Sequence, residues 1–267
     1  MGEVSVSMQD RWTNLKETTK QEATALDGVI AAWLRDRETA GKRIFCAAGC
    51  SNCCTLFVQA TLVEALLVAA ELDAPQAQKL ERYVHHQRKC LADSGDFLTV
   101  LRQQRAAIGP CPFLDNTGSC SIYAQRPLAC RALLSTKPAE WCSVDFATLD
   151  PLEKRLYLES LEHPVVAYPV HYVACTQNAA EEAETRLQML METKLGTSIS
   201  GNFPLLVYLS YTNNLVAQIK AGATNWPQQL RSSPFFHPLL LQLSPCMHDF
   251  NAPVKRTTSS GALLSGI

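Results

Sequence analysis

Four of the eleven cysteines in this chain of 267 residues are crowded into one short run, Cys46-Ala-Ala-Gly-Cys50-Ser-Asn-Cys53-Cys54. A lone free cysteine packs as a small apolar residue. Four of them, interrupted by Gly49, Ser51 and Asn52, make a turn-forming loop that presents sulfur. Three more, Cys111, Cys120 and Cys130, follow in a second turn-rich stretch, CPFLDNTGSCSIYAQRPLACR. Seven thiols displayed in this way point to a metal centre. Gly49 permits the sharp conformation that brings thiolates from one loop to one point.

The chain is long enough to bury a large core, so metal is not needed merely to obtain one. Its net charge of −1 and the lack of a basic run give no support to a nucleic-acid partner or an anionic membrane. The opening MGEVSVSMQDRW lacks the apolar core of a signal peptide, and the apolar segment Leu62 to Ala70 is too short to span a bilayer. The expectation is a cytoplasmic protein, in a reducing compartment where thiols persist as ligands. An odd number of cysteines also fits poorly with complete pairing into disulfides.

The pattern along the chain is mainly α, with helices connected by cysteine-rich metal-binding loops and little β. Residues 1–10 read as frayed. Leu26, Val29, Ile30, Trp33 and Leu34 recur at helical spacing within a helix from Arg11 to Thr39. Thr61 and Glu64 form a capping box ahead of the apolar run Leu62 to Leu72. Residues 76–108 read as one or two helices broken near Asp93-Ser94-Gly95. His163 to Ala174, with Pro164 and Pro169, reads as extended. Residues 176–195 are helical again, and Phe203 to Ile219 is an apolar helix closed by Gly222. The expected division is an N-terminal helical segment (1–42), a cysteine-cluster domain (43–178), a helical extension (179–250) and a loose tail (251–267).

Neighbouring side chains diverge, so Cys53 and Cys54 suit two ions, or two corners of a cluster, better than one mononuclear site. The second stretch lacks a simple knuckle spacing and so would complete sites begun by the first loop. Arg126, Arg131 and Tyr123 stand near Cys120 and Cys130 in sequence and could donate to sulfur.

Together, CAAGCSNCC and CPFLDNTGSCSIYAQRPLACR resemble the CxxCxxCC cysteine-cluster family (YkgJ-type), described as a zinc- or iron-chelating domain. The matching residues are Cys46, Cys50, Cys53 and Cys54, then Cys111-Pro112-Phe113-Leu114, Gly118, Cys120, Ile122-Tyr123, Arg126-Pro127 and Cys130-Arg131. The first spacer here holds three residues rather than two. The resemblance covers roughly residues 43–178 and implies an eighth cysteine at the start of a helix. Cys175, leading ACTQNAAEEAETRLQML, fits that place best, and Cys142 is its rival. The implied cofactor is zinc or iron, the latter as an ion or as a [4Fe-4S] cluster.

A related cysteine pattern occurs in flagellin lysine N-methylases, which look like iron–sulfur proteins. This implies a catalytic alternative, an iron–sulfur-dependent protein-modifying enzyme, although no methyl-donor motif is present. The spacing Cys46-x3-Cys50-x2-Cys53 is also that of radical S-adenosylmethionine enzymes, but Asn52 stands where those carry an aromatic and the downstream pattern is helical. A redox pair at Cys53-Cys54 would leave the other motif cysteines unexplained. The remaining candidates have plainer readings. His86 and Cys90 share a solvated helix face, Cys246 and His248 suit a loop or core role, and His171 suits a packed, hydrogen-bonded histidine. Glu181, Glu182 and Glu184 read as a helix face rather than a catalytic pair.

Overall fold

A computed structural model describes residues 7–47 and 49–244. The predicted looseness of residues 251–267, and the candidates Cys246 and His248, lie outside the described residues. The N-terminus of the described chain is more ordered than its composition suggests: Ser7 caps the first helix, its hydroxyl accepting from Asp10 N at 3.1 Å. That helix, α1 (Met8–Thr39), is followed by α2 (Leu62–Ala69), α3 (Ala74–Cys90), α4 (Phe97–Gln103) and the short α5 (Leu128–Ala132). Then come α6 (Pro151–Glu159), α7 (Ala174–Leu195), α8 (Phe203–Thr212), α9 (Leu215–Lys220) and α10 (Trp226–Arg231). The structure is mainly helical, as expected.

The core lies where the sequence is apolar all round. In α2, Leu62, Val63 and Leu66 have no exposure, and Leu206 and Val207 of the facing α8 have none either. A helix without a polar stripe must be covered on every side, and α3, α1 and the sheet do this. Helix α1 lies along α7, burying Trp12, Leu15 and Leu26.

The β content is one small antiparallel sheet, β1 (Gln59–Thr61), β2 (Ile199–Asn202) and β3 (Leu241–Leu243), with β2 central. Gly201 pairs with Ala60 on one side and Leu241 on the other. A Cβ there would sit 2.1 Å from the Leu240 carbonyl oxygen, so only glycine permits this close approach.

Two segments depart from the sequence reading. The run Phe203 to Ile219 is two helices, because Asn214 adopts a left-handed conformation (φ 49°) between α8 and α9. Residues 163–174 are turns with isolated bridges, Ser135 to Tyr172 and Val166 to Val173, rather than a strand. Pro164 and Pro169 remove two ladder donors from that stretch.

Candidate metal centre

The first cysteine loop leaves α1 and turns at Gly49, whose φ of 81° suits glycine, with Cys50 N donating to Ala47 O at 3.1 Å. Cys53 and Cys54 then sit on a single 3₁₀ turn, Asn52–Thr55, closed by Cys54 N donating to Ser51 O at 2.9 Å. The neighbouring Cys54 thiol, followed by burial, pushes the Cys53 thiol up.

The second stretch closes its nine-residue gap through a turn. Asp115 accepts from Thr117 N at 2.8 Å and Ser119 N at 3.0 Å, and Leu114 bridges to Cys120. The signal for this turn is Asp-Asn-Thr-Gly-Ser, an acidic cap followed by Gly118 at φ 81°. Cys111 and Cys120 are thereby held on adjoining arms. The two cysteine loops are joined directly, Cys111 N donating to Cys54 O at 2.8 Å.

Cys130 rides on α5, which is anchored by a buried carboxylate from the core. Glu64 accepts from Thr61 N (2.8 Å) and Thr61 Oγ1 (2.7 Å), and also from Leu128 N (2.8 Å) at the start of α5. The predicted capping partner of Thr61 therefore also positions the helix bearing Cys130. Burial still pushes Glu64 above the ordinary carboxylate range, against the pull of these donors. Past α5 the chain returns to the first loop, where Ser135 N donates to Cys46 Sγ at 3.1 Å.

Cys142 joins the same neighbourhood. It ends a 3₁₀ turn, Ala139–Cys142, that packs on the Asn52–Thr55 turn, and it is buried with Val170 and Tyr172 against Cys53. His171 stands behind it, Nε2 at 3.5 Å from Cys142 Sγ and Nδ1 at 2.8 Å from the Tyr157 hydroxyl. His171 is thus packed and hydrogen-bonded, and burial lowers its pKa to about 4, which keeps the ring neutral. The Tyr172 hydroxyl is buried, faces the Cys142 thiol without hydrogen-bond geometry, and has no partner among the described residues. Cys175, by contrast, is exposed near the start of α7. His86 and Cys90 face each other on α3, Sγ to Nε2 3.6 Å, away from the other thiols.

Electrostatics link the gathered thiols. Burial raises Cys46 and Cys120, takes Cys111 up to about 12 and Cys142 up to about 11. Burial, then the charges of Cys111 and Cys53, put Cys130 well above its ordinary value. Cys53 lines the same cleft as Cys46, Cys50, Cys130 and Cys142 and packs against Cys142. Arg126 opposes the rise at Cys46, Cys53, Cys120 and Cys130, its guanidinium stacked 3.7 Å from the centre of the Tyr123 ring. Among the described residues none of the three predicted donors hydrogen-bonds a sulfur; Arg126 Nε donates to Tyr123 O and bears on the thiols through its charge alone. Arg131 is committed to Asp27 at 2.7 Å and to backbone carbonyls, and Tyr123 is exposed.

A cleft of about 1000 Å³ opens beside Cys46, Cys50, Cys53, Cys130 and Cys142, with α1 along its other wall. Among the described residues, no three His, Cys, Asp or Glu side chains stand in metal-holding geometry. The thiols are gathered but not closed into a coordination sphere. Their chemistry fits zinc or iron, which thiolates bind well, and a cation would reverse the pKa logic that now keeps them protonated. The orphaned Tyr172 hydroxyl is placed to donate to a thiolate once its proton has gone.

Folded loops that gather thiols over a helical core define a cysteine-cluster protein. Residues 45–146 match the model of the CxxCxxCC family, whose description reads "Putative zinc- or iron-chelating domain". The match takes in Cys142 and stops short of Cys175. Searches of curated proteins and of solved structures find no match. Among the described residues, no helix is long and apolar enough to cross a membrane.

Proposed function

We propose that the protein chelates zinc or iron through Cys46, Cys50, Cys53, Cys54, Cys111, Cys120 and Cys130, with Cys142 as the eighth thiol. The single observation that carries this reading is the gathering of thiols from separate loops: Cys46, Cys50, Cys53, Cys130 and Cys142 line one cleft, and Cys111 is tied to Cys54 by its backbone. Burying so many thiols beside one another raises the cost of ionising any one of them. A bound cation removes that cost and ties the loops to the helices. Cys142 is preferred to Cys175 because it packs against Cys53 and lines the cleft beside the other thiols, whereas Cys175 does not line that cleft.

Metal and acid-labile sulfide analysis of protein purified without oxygen tests the reading. Stoichiometric zinc or iron is expected, lowered in Cys53→Ser, Cys120→Ser and Cys142→Ser and unchanged in Cys175→Ser. Unchanged metal in Cys53→Ser and Cys120→Ser would sink it. Loss in Cys175→Ser with retention in Cys142→Ser would reverse the choice of the eighth ligand.

A second reading, an iron–sulfur-dependent protein-modifying enzyme, is favoured by the open cleft beside the thiols, which has room for a cosubstrate. It requires iron with sulfide and a visible charge-transfer band. Colourless protein with zinc alone rules it out.

A further inference from the structure

Behind the thiol group, on the far side of Tyr172 and Leu133, lies a second cavity of about 280 Å³. Its walls are mostly apolar, with Phe57, Phe146 and Val170 among them. Opposite charges also line it. Arg105 lines one part of it together with Asp145, whose carboxylate already accepts from Ala147 N, and Glu181 and Glu184 enter from one face of α7.

These charges do not satisfy one another. Among the described residues, neither Arg105 nor Glu181 nor Glu184 makes an ion pair, although Glu182 on the same helix lies 3.9 Å from Arg186. Burial pushes both cavity carboxylates above the usual range, and Glu64 and Glu181 add like charge at Glu184. Glu184, half-buried beside apolar walls without an ion pair, costs stability there, so its retention needs a reason.

The backbone at Arg105 supplies one. Residues Gln104–Ile108 form a π-helical turn, a rare conformation that concentrates at functional sites. Arg105 Nη1 donates to Val144 O at 2.8 Å, which fixes the guanidinium while leaving other N–H groups available. A mostly apolar cavity with a few convergent polar groups is how small-molecule sites are built.

We propose that this cavity binds a small zwitterion with an apolar body, of amino-acid to dipeptide size. The ligand's carboxylate meets the Arg105 guanidinium, its ammonium meets Glu181 and Glu184, and its side chain fills the space beside Phe57 and Phe146. Glu181 and Glu182 are exposed on the helix face, as expected, whereas Glu184 is half-buried. The site is separate from the thiols and does not depend on which metal they hold.

Isothermal titration of the full-length protein, with its metal content measured separately, tests the proposal. The probes are leucine, leucyl-leucine, 3-methylbutylamine (leucine without its carboxylate) and 4-methylpentanoate (leucine without its ammonium). At least one zwitterion should bind about tenfold more tightly than either singly charged probe. Glu184→Gln and Arg105→Gln should each weaken it by about tenfold, at unchanged metal content. Glu181→Gln, at an exposed position, serves if either variant loses its fold. No binding by any probe up to roughly 10 mM overturns the proposal, as does equal binding of a singly charged probe or unchanged affinity in either variant.

Discussion

Around α2 and α8 the chain is held by side chains such as Leu62, Leu66 and Leu206, none of which has any exposure. Around Cys53 it is held by backbone hydrogen bonds between loops, such as Cys111 N to Cys54 O, and by thiols that are only half-buried. Each leucine in the first region contributes about 1.5–3 kcal/mol by leaving water. The second cysteine loop sends Phe113, Ile122 and Leu128 into that same core, but none of residues 44–47 and 49–56 of the first loop is buried, and the cleft beside them is large. The core can therefore form on its own, whereas the first thiol loop needs something further to fix it, and under the proposed function a metal ion would supply that.

The largest expected effect follows from removing the metal. Stripping it with a chelator under reducing conditions should cost up to on the order of 10 kcal/mol. The loss should be local, with hydrogen exchange rising at residues 44–54 and 111–142 while α2 and α8 stay protected. Equal loss of protection in α2 and α8 would break the comparison, since the core would then depend on the metal too.

The converse change is in the core. Leu66→Ala should destabilise the protein by about 2–5 kcal/mol in denaturant unfolding. Metal content per folded molecule should stay the same. A drop in metal content would mean that the two regions are not separately supported.

These differences bear on what could be read in the chain. The core was legible because α2 is a continuous apolar run, and Thr61 with Glu64 marked its start. The cysteine loops were legible from Gly49, Gly118 and the density of sulfur. What spacing could not supply was the fold-back of residues 133–142, which brings Cys142 to Cys53 across about ninety positions of sequence. A position at the start of a helix, as at Cys175, says nothing about which way the side chain faces, so sequence alone leaves the choice between Cys175 and Cys142 open. That Arg105, Val144 and the glutamates of α7 line one cavity was equally hidden, because they are far apart in sequence and meet only in the fold.

Glu64 is where the two regions meet, and it sharpens the comparison. Glu64→Ala removes the acceptor for Leu128 N and both Thr61 donors. Leaving buried donors unsatisfied costs about 1–3 kcal/mol, and it also frees the start of α5, which carries Cys130. Both stability and metal affinity should fall, measured by unfolding and by competition with a chelator. Loss of stability with unchanged metal affinity would show that α5 is held in place by the metal itself rather than by the core.

The smallest effect lies at the far end of α1, where Arg37 forms a two-pronged ion pair with Glu162, Nη1 to Oε2 2.8 Å. Arg37 holds the Glu162 carboxyl below its ordinary value of 4.5, first through the hydrogen bond and then, against some desolvation, through charge. A carboxylate whose folded pKa is depressed adds stability above its unfolded pKa and loses it as pH falls through the folded one. The Glu162 side chain is 38% exposed, so solvent screening limits the contribution to at most about 1 kcal/mol. Glu162→Gln should therefore melt slightly earlier than the wild type at neutral pH, and the gap should close on acidification below 4.5. A gap that persists at low pH would mean that Glu162 acts by packing at the end of α1 rather than by its charge.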